Sequence, residues 1–245
     1  MSSGDKASIP NHLSDETGIL FARRSSLLLF APVVVLFVAA RLWRLAASCL
    51  WFDEIFSVHA ARHSWRDMMH FVAADIIHPP VFYALLKMWI SVGGESLLWL
   101  RLFPALVSIA AIVPFALLCR ELKISSGVMT LALLLMAVNG YLIKYAQELR
   151  MYGLLFFFSL CSLWLFLKFL NSEAGSKKQL LALLAINLLL VYTHYGGWIL
   201  VGLEATTLLL WRRSRLRSFL VSAAILVLLY LPWLYEVAKV TKATE

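Results

Sequence analysis

Two adjacent carboxylates, Asp53 and Glu54, follow Leu50-Trp51-Phe52 just beyond a long apolar segment. Charge at a membrane exit is costly unless it is solvated or used, so an acidic pair there marks a candidate site. Three more polar clusters follow: His78-Pro79-Pro80, the run Tyr145-Ala146-Gln147-Glu148-Leu149-Arg150-Met151-Tyr152, and Tyr192-Thr193-His194-Tyr195. Carboxylates, one fixed cation, imidazoles and tyrosine hydroxyls make a set with a defined use. It can take a proton from an acceptor while cations hold an anionic leaving group. Each cluster also has a plainer reading. Tyr and Trp at span ends commonly form an aromatic belt, and Arg150 can snorkel to headgroups.

What must position these residues is a membrane protein. The chain of 245 residues is 62% hydrophobic and 15% charged, with its apolar residues in long runs rather than alternating stripes. The formal charge of +8 would suggest nucleic acid in a soluble protein. Here it reads as Lys and Arg retained on the cytoplasmic side, so no nucleic-acid partner is expected. Cys49, Cys119 and Cys161 have no paired spacing and no CxxC, so neither a disulfide framework nor a thiolate metal site is implied. There is no phosphate-binding glycine loop and no internal repeat.

Residues 1–22 are polar and read as a disordered cytoplasmic tail, leaving 23–245 as one polytopic domain. Arg23-Arg24 precede a first span over 25–45; Arg41 and Arg44 at its outer end argue against a cleaved signal peptide. Residues 55–72 have helical periodicity with His59, Arg62, His63, Arg66 and His70 on one face. The His59/His63 spacing suits a metal, but such a face reads first as the wet side of a helix on the membrane surface. The run from Pro80 to Val92 is too short to span and reads as interfacial or re-entrant.

Six further apolar runs, near 101–119, 126–145, 151–170, 179–195, 197–211 and 217–234, bring the expected spans to seven. Arg120/Lys123, Lys168/Lys177/Lys178 and Arg212/Arg213/Arg215/Arg217 fall at alternate ends, on the side of Arg23-Arg24. The positive-inside rule makes that side cytoplasmic, giving a multi-pass plasma-membrane protein with its N-terminus inside. Asp53, Glu54, His78, Arg101, Glu148, Arg150, Tyr152 and His194 then share the opposite face. This convergence is the main evidence for a site, because scattered polar residues would not respect topology.

At these residues a resemblance becomes specific. Trp51-Phe52-Asp53-Glu54, His78-Pro79-Pro80-Val81-Phe82-Tyr83, Arg101-Leu102-Phe103-Pro104-Ala105-Leu106 and Tyr145–Tyr152 resemble, in order and spacing, the GT-C membrane glycosyltransferases. The branch is that of the dolichyl-phosphate-mannose–protein mannosyltransferases and the aminoarabinose lipid A transferases, and the match runs from about Leu42 to Trp233. The resemblance implies an all-α fold and transfer of a sugar from a polyprenyl-phosphate donor, with inversion, on the extracytoplasmic face. The acceptor is a lipid, a glycan or a protein hydroxyl. The resemblance also implies that Asp53 is the catalytic carboxylate supported by Glu54, and that His78, Arg101, Glu148, Arg150, Tyr152 and His194 bind substrate. A divalent metal cation is a candidate cofactor, since some members of the superfamily use one.

Relatives continue past the seventh span, so a compact or truncated version with a partner subunit is also an expectation. Two rivals belong to other classes: a carrier or flippase for lipid-linked sugar, and a non-catalytic assembly subunit. A carrier would place polar groups at mid-depth, where only Asn187 and Glu204 stand.

Overall fold

The computed structural model describes residues 29–172 and 176–244. The expected tail over 1–22 and Arg23-Arg24 lie outside the described residues. Those residues form twelve helices and no strand: α1 (Leu29–Leu42), α2 (Phe52–Arg62), α3 (Trp65–Asp75), α4 (Val81–Gly93), α5 (Leu97–Ala110), α6 (Ile112–Glu121), α7 (Ser126–Val138), α8 (Gly140–Gln147), α9 (Tyr152–Asn171), α10 (Lys177–Thr193), α11 (Gly197–Trp211) and α12 (Arg213–Thr244).

Three stretches are long and apolar enough to cross a membrane: Leu97–Glu121, which joins α5 to α6, then Tyr152–Asn171 and Arg213–Lys242. A fourth is obtained if α7 and α8 count as one broken span. The seven continuous spans expected from hydropathy therefore become three or four by length and composition, with α1 and α11 as shorter apolar helices. The run over 126–145 is corrected most clearly. It bends by 62° between α7 and α8, where the Asn139 side chain accepts from Leu142 N at 3.0 Å and Gly140 follows. A capping side chain starts a new helix because it satisfies donors that the old one leaves free.

The surface helix expected over 55–72 is likewise two helices. Ser64 caps α3 by accepting from Asp67 N, and α2 ends at Arg62. Its His59 and His63 rings pack against each other and against Phe71. Among the described residues no group of three or more His, Cys, Asp or Glu side chains could hold a metal ion.

The main core joins α2, α3 and α4 to α5, α9, α10, α11 and α12 through residues such as Met68, Phe82, Leu149, Phe158, Leu190 and Trp233. A smaller core of Phe37, Phe115, Cys119, Leu133 and Ala137 joins α1, α6 and α7. Helix α9 sits at the centre, and its Gly153 lets α5 approach: a Cβ there would stand 2.9 Å from Pro104 O. Arg41 is not at a wet span end. It is fully buried, donating to Ser108 Oγ, Phe37 O and Met136 O, and so ties α1 to α5 and α7. At mid-depth Ser162, Asn187 and Glu204 meet across α9, α10 and α11. Ser162 Oγ lies 2.6 Å from Asn187 Oδ1 and 2.7 Å from Glu204 Oε1, and Asn187 Nδ2 lies 2.8 Å from Glu204 Oε2.

Candidate active site

The acidic pair forms the first turn of α2, where unpaired backbone N–H groups favour negative charge. Successive helical positions point about 100° apart, and the two carboxylates part company accordingly. Glu54 turns inward, 1% exposed. Its Oε2 accepts from Trp51 N and Arg101 Nη2, both at 2.8 Å, and its Oε1 accepts from Leu149 N at 2.8 Å and Arg101 Nε at 3.1 Å. All the strong acceptor positions of this carboxylate are committed inside the protein. Arg101, on α5, uses its remaining donors on Leu45 O, Ser48 O, Ser48 Oγ and Cys49 O. One buried ion pair thus fixes the α1–α2 loop, the start of α2 and the α8–α9 loop together.

Asp53 turns outward, its side chain 51% exposed. Its carboxylate lies 3.8 Å from Arg150 Nη2, and Arg150 Nη1 donates to Asp53 O at 3.2 Å. A cavity of about 810 Å³ opens beside it, lined by Trp51, Lys144, Tyr145, Glu148, Arg150 and Tyr152 among others. The Tyr145 and Tyr152 rings meet at 4.5 Å with a 52° tilt, and Lys144 stands 3.5 Å from Glu148. Helix α8 forms one wall and is anchored by Gln147, whose Nε2 donates to Ala40 O, Arg41 O and Trp43 O at the end of α1.

Behind Arg150 lies a drier cluster. His78 Nδ1 is 3.4 Å from Arg150 Nη2, and the His78 and His194 rings are 5.5 Å apart. His194 Nδ1 accepts from Gly196 N at 2.9 Å, which puts the hydrogen of a neutral ring on Nε2. Neither imidazole lines the Asp53 cavity. Sequence reasoning assigned no part to two residues found here. Tyr83 is fully buried, with its hydroxyl against Arg150 but without a well-formed hydrogen bond. Asp75 closes α3, and burial pushes its carboxyl up while the Arg150 guanidinium pulls it down and Asp53 adds a further upward push. Its place three residues before His78 was the available signal. Ile76, at φ 49°, turns the chain out of α3 toward the His-Pro-Pro segment.

Burial, reinforced by Arg150 and His194, holds the His78 imidazole down at about 4, against 6.5 for a free side chain. Burial and Arg150 depress His194 in the same direction. Between those values the unfolded chain binds the extra proton, so the contribution of His78 to native stability is level above about pH 6.5 and falls as pH drops toward 4. The His78→Gln variant should show a shallower decline of thermal midpoint over that window, with His194 supplying the remainder. An undiminished slope would show that His78 is not the group responsible.

No family model matches the sequence, and no curated protein matches it. The fold is similar to a solved structure, the S. cerevisiae protein O-mannosyltransferase Pmt1-Pmt2 complex bound to the sugar donor. The TM-score is 0.65 at 19% identity, over 86% of this chain and 33% of that one. The chain therefore spans about a third of the length of the protein it matches. The chain thus shares the fold of that structure over most of its length, and three or four of its helical stretches are long and apolar enough to cross a membrane.

Proposed function

We propose that the chain is a glycosyltransferase module. It moves a sugar from a polyprenyl-phosphate donor to an acceptor hydroxyl, of a lipid, a glycan or a protein, on the extracytoplasmic face and with inversion. The observation that carries this reading is the division of labour in the acidic pair. Glu54 is committed to Arg101, while Asp53 stays half exposed at a cavity mouth beside a fixed guanidinium. Asp53 takes the proton of the acceptor hydroxyl as that oxygen bonds to the anomeric carbon. The phosphate leaves as a stabilised anion, so cations can serve it in place of a strong general acid. Arg150 pairs with Asp53, and Lys144 lines the same cavity. Glu54 and Arg101 position the helix turn that carries Asp53. A divalent cation beside Asp53 would draw its remaining ligands from substrate, water or backbone oxygens, since no group of three or more His, Cys, Asp or Glu side chains could hold one among the described residues.

Incubating the membrane-embedded protein with radiolabelled polyprenyl-phosphate sugar and following label into acceptors tests this reading. Transfer supports it, translocation without transfer favours a carrier, and neither favours an assembly subunit. Within that assay Arg150→Lys should weaken donor use more than Arg62→Lys, which sits at an exposed pair with Glu95. The planar fork of arginine matters against phosphate, and an ammonium does not reproduce it. Equal effects would return Arg150 to a headgroup contact.

The site face is assigned to the outside and the N-terminus to the cytoplasm of a plasma-membrane protein. With the exposed Cys49 first replaced by Ser, an impermeant thiol reagent on intact cells should label a cysteine at Glu148 and spare one at Lys177. The opposite pattern would invert the orientation and remove the extracytoplasmic acceptor.

A further inference from the structure

Helix α12 runs for 32 residues, about 48 Å, against roughly 30 Å for a bilayer's hydrocarbon core. Its basic start at Arg213, Arg215 and Arg217 and its apolar run to Leu234 set where the crossing ends. The turns from Glu236 to Lys239 therefore stand at headgroup level, on the Asp53 side of the bundle. There α12 packs against α3, and a second cavity of about 450 Å³ opens between them. It shares no lining residue with the cavity beside Asp53.

The lining is divided by chemistry. Met69, Pro232 and the buried Trp233 form an apolar wall next to the end of the α12 apolar run. Arg66 and Lys239 are exposed, and neither has an ion-pair partner among the described residues. Between the helices His70 Nδ1 meets Glu236 Oε1 at 2.5 Å, which clips α3 to α12 and occupies the one carboxylate of the lining. Tyr192 is held by its own hydroxyl, which donates to Leu229 O at 2.8 Å. A groove with an apolar inner wall, two free cations on its outer side and its acid already engaged is complementary to one kind of molecule. That molecule carries an anionic head at the surface and chains running inward.

We propose that the groove between α3 and the outer end of α12 binds an anionic phospholipid, its phosphodiester between Arg66 and Lys239 and its acyl chains along Met69, Pro232 and Trp233. The site depends on the depth at which α12 leaves the membrane and not on the glycosyltransferase reading. A transfer-dead protein should bind the same lipid.

The test uses the full chain in nanodiscs of mixed phosphatidylglycerol and phosphatidylcholine, with retained lipids counted by native mass spectrometry. A cation at an anionic surface contributes roughly fivefold in partitioning, so the Arg66→Gln/Lys239→Gln double variant should lose up to about thirtyfold of the enrichment. Both side chains are exposed, so the variant is expected to fold, and Arg62→Gln serves as the matched surface control. Photoactivatable phosphatidylglycerol on the unmutated protein should crosslink to peptides of α3 and α12. No enrichment in the unmutated protein, full enrichment in the double variant, or crosslinks confined to other helices would each overturn the site. Displacement by undecaprenyl phosphate but not by added phosphatidylglycerol would reassign the groove to the donor lipid.

Discussion

Asp53→Asn should abolish sugar transfer almost completely while leaving the protein folded and inserted. The substitution keeps the size of the side chain and removes only the charge. A positioned base contributes on the order of 10²–10⁴-fold, and transfer is expected to fall by that factor. The fold should not notice, because the carboxylate is half exposed and its nearest partner, Arg150, is 3.8 Å away and also holds the Asp53 backbone carbonyl. Initial rates with labelled donor, alongside thermal midpoints of both proteins, give the comparison. A purified Asp53→Asn protein that transfers at the unmutated rate would falsify the catalytic assignment.

Its neighbour should behave in the opposite way. Glu54→Gln is expected to lower the yield of folded protein and its thermal midpoint, with loss of activity following from loss of fold. The charge of Arg101 would stay buried without its counter-charge, and breaking such a pair from one side costs about 3–5 kcal/mol. An Arg101→Met partner change should not rescue it. Four acceptors in the α1–α2 loop, Leu45 O, Ser48 O, Ser48 Oγ and Cys49 O, would then lose their donor. A Glu54→Gln protein as stable as the unmutated chain but slow in transfer would instead place Glu54 among the catalytic groups.

The contrast between these two acids marks how far the sequence could be read. Their identity and their place after an apolar segment were plain, and so was the helical class, because both follow from residue type and run length. Which acid faces inward was not legible. It depends on Arg101, Leu149 and the loop at Leu45–Cys49 arriving from far along the chain, and no local pattern encodes that meeting. The same limit explains Arg41, which in sequence is a charge at the end of a span and in the fold is fully buried, tied to Ser108 and Met136. The break at Asn139 was local and could have been seen, since Asn followed by Gly is a helix-interrupting pair; the apolar residues on either side masked it. Asp75 and Tyr83 were hidden for a third reason. They come to the site only through the turn at Ile76 that brings the end of α3 and the start of α4 behind Arg150.

The Ser162–Asn187–Glu204 contact admits a count of hydrogens. Three oxygen or nitrogen pairs lie at 2.6–2.8 Å, and each needs one hydrogen between its atoms. The serine hydroxyl supplies one, and the asparagine amide, whichever way it is turned, supplies one more. The third has to come from the carboxyl of Glu204, so the ring closes only when that group is an uncharged acid. Three helices are then joined by a loop of neutral hydrogen bonds that brings no net charge into the hydrocarbon. A proton held this way is a structural part, released only by opening the ring. A glutamine would carry the same hydrogen permanently and keep all three contacts. A proton-driven carrier needs an acid that loads and unloads, and the one mid-depth carboxyl among the described residues is bonded as though it never does.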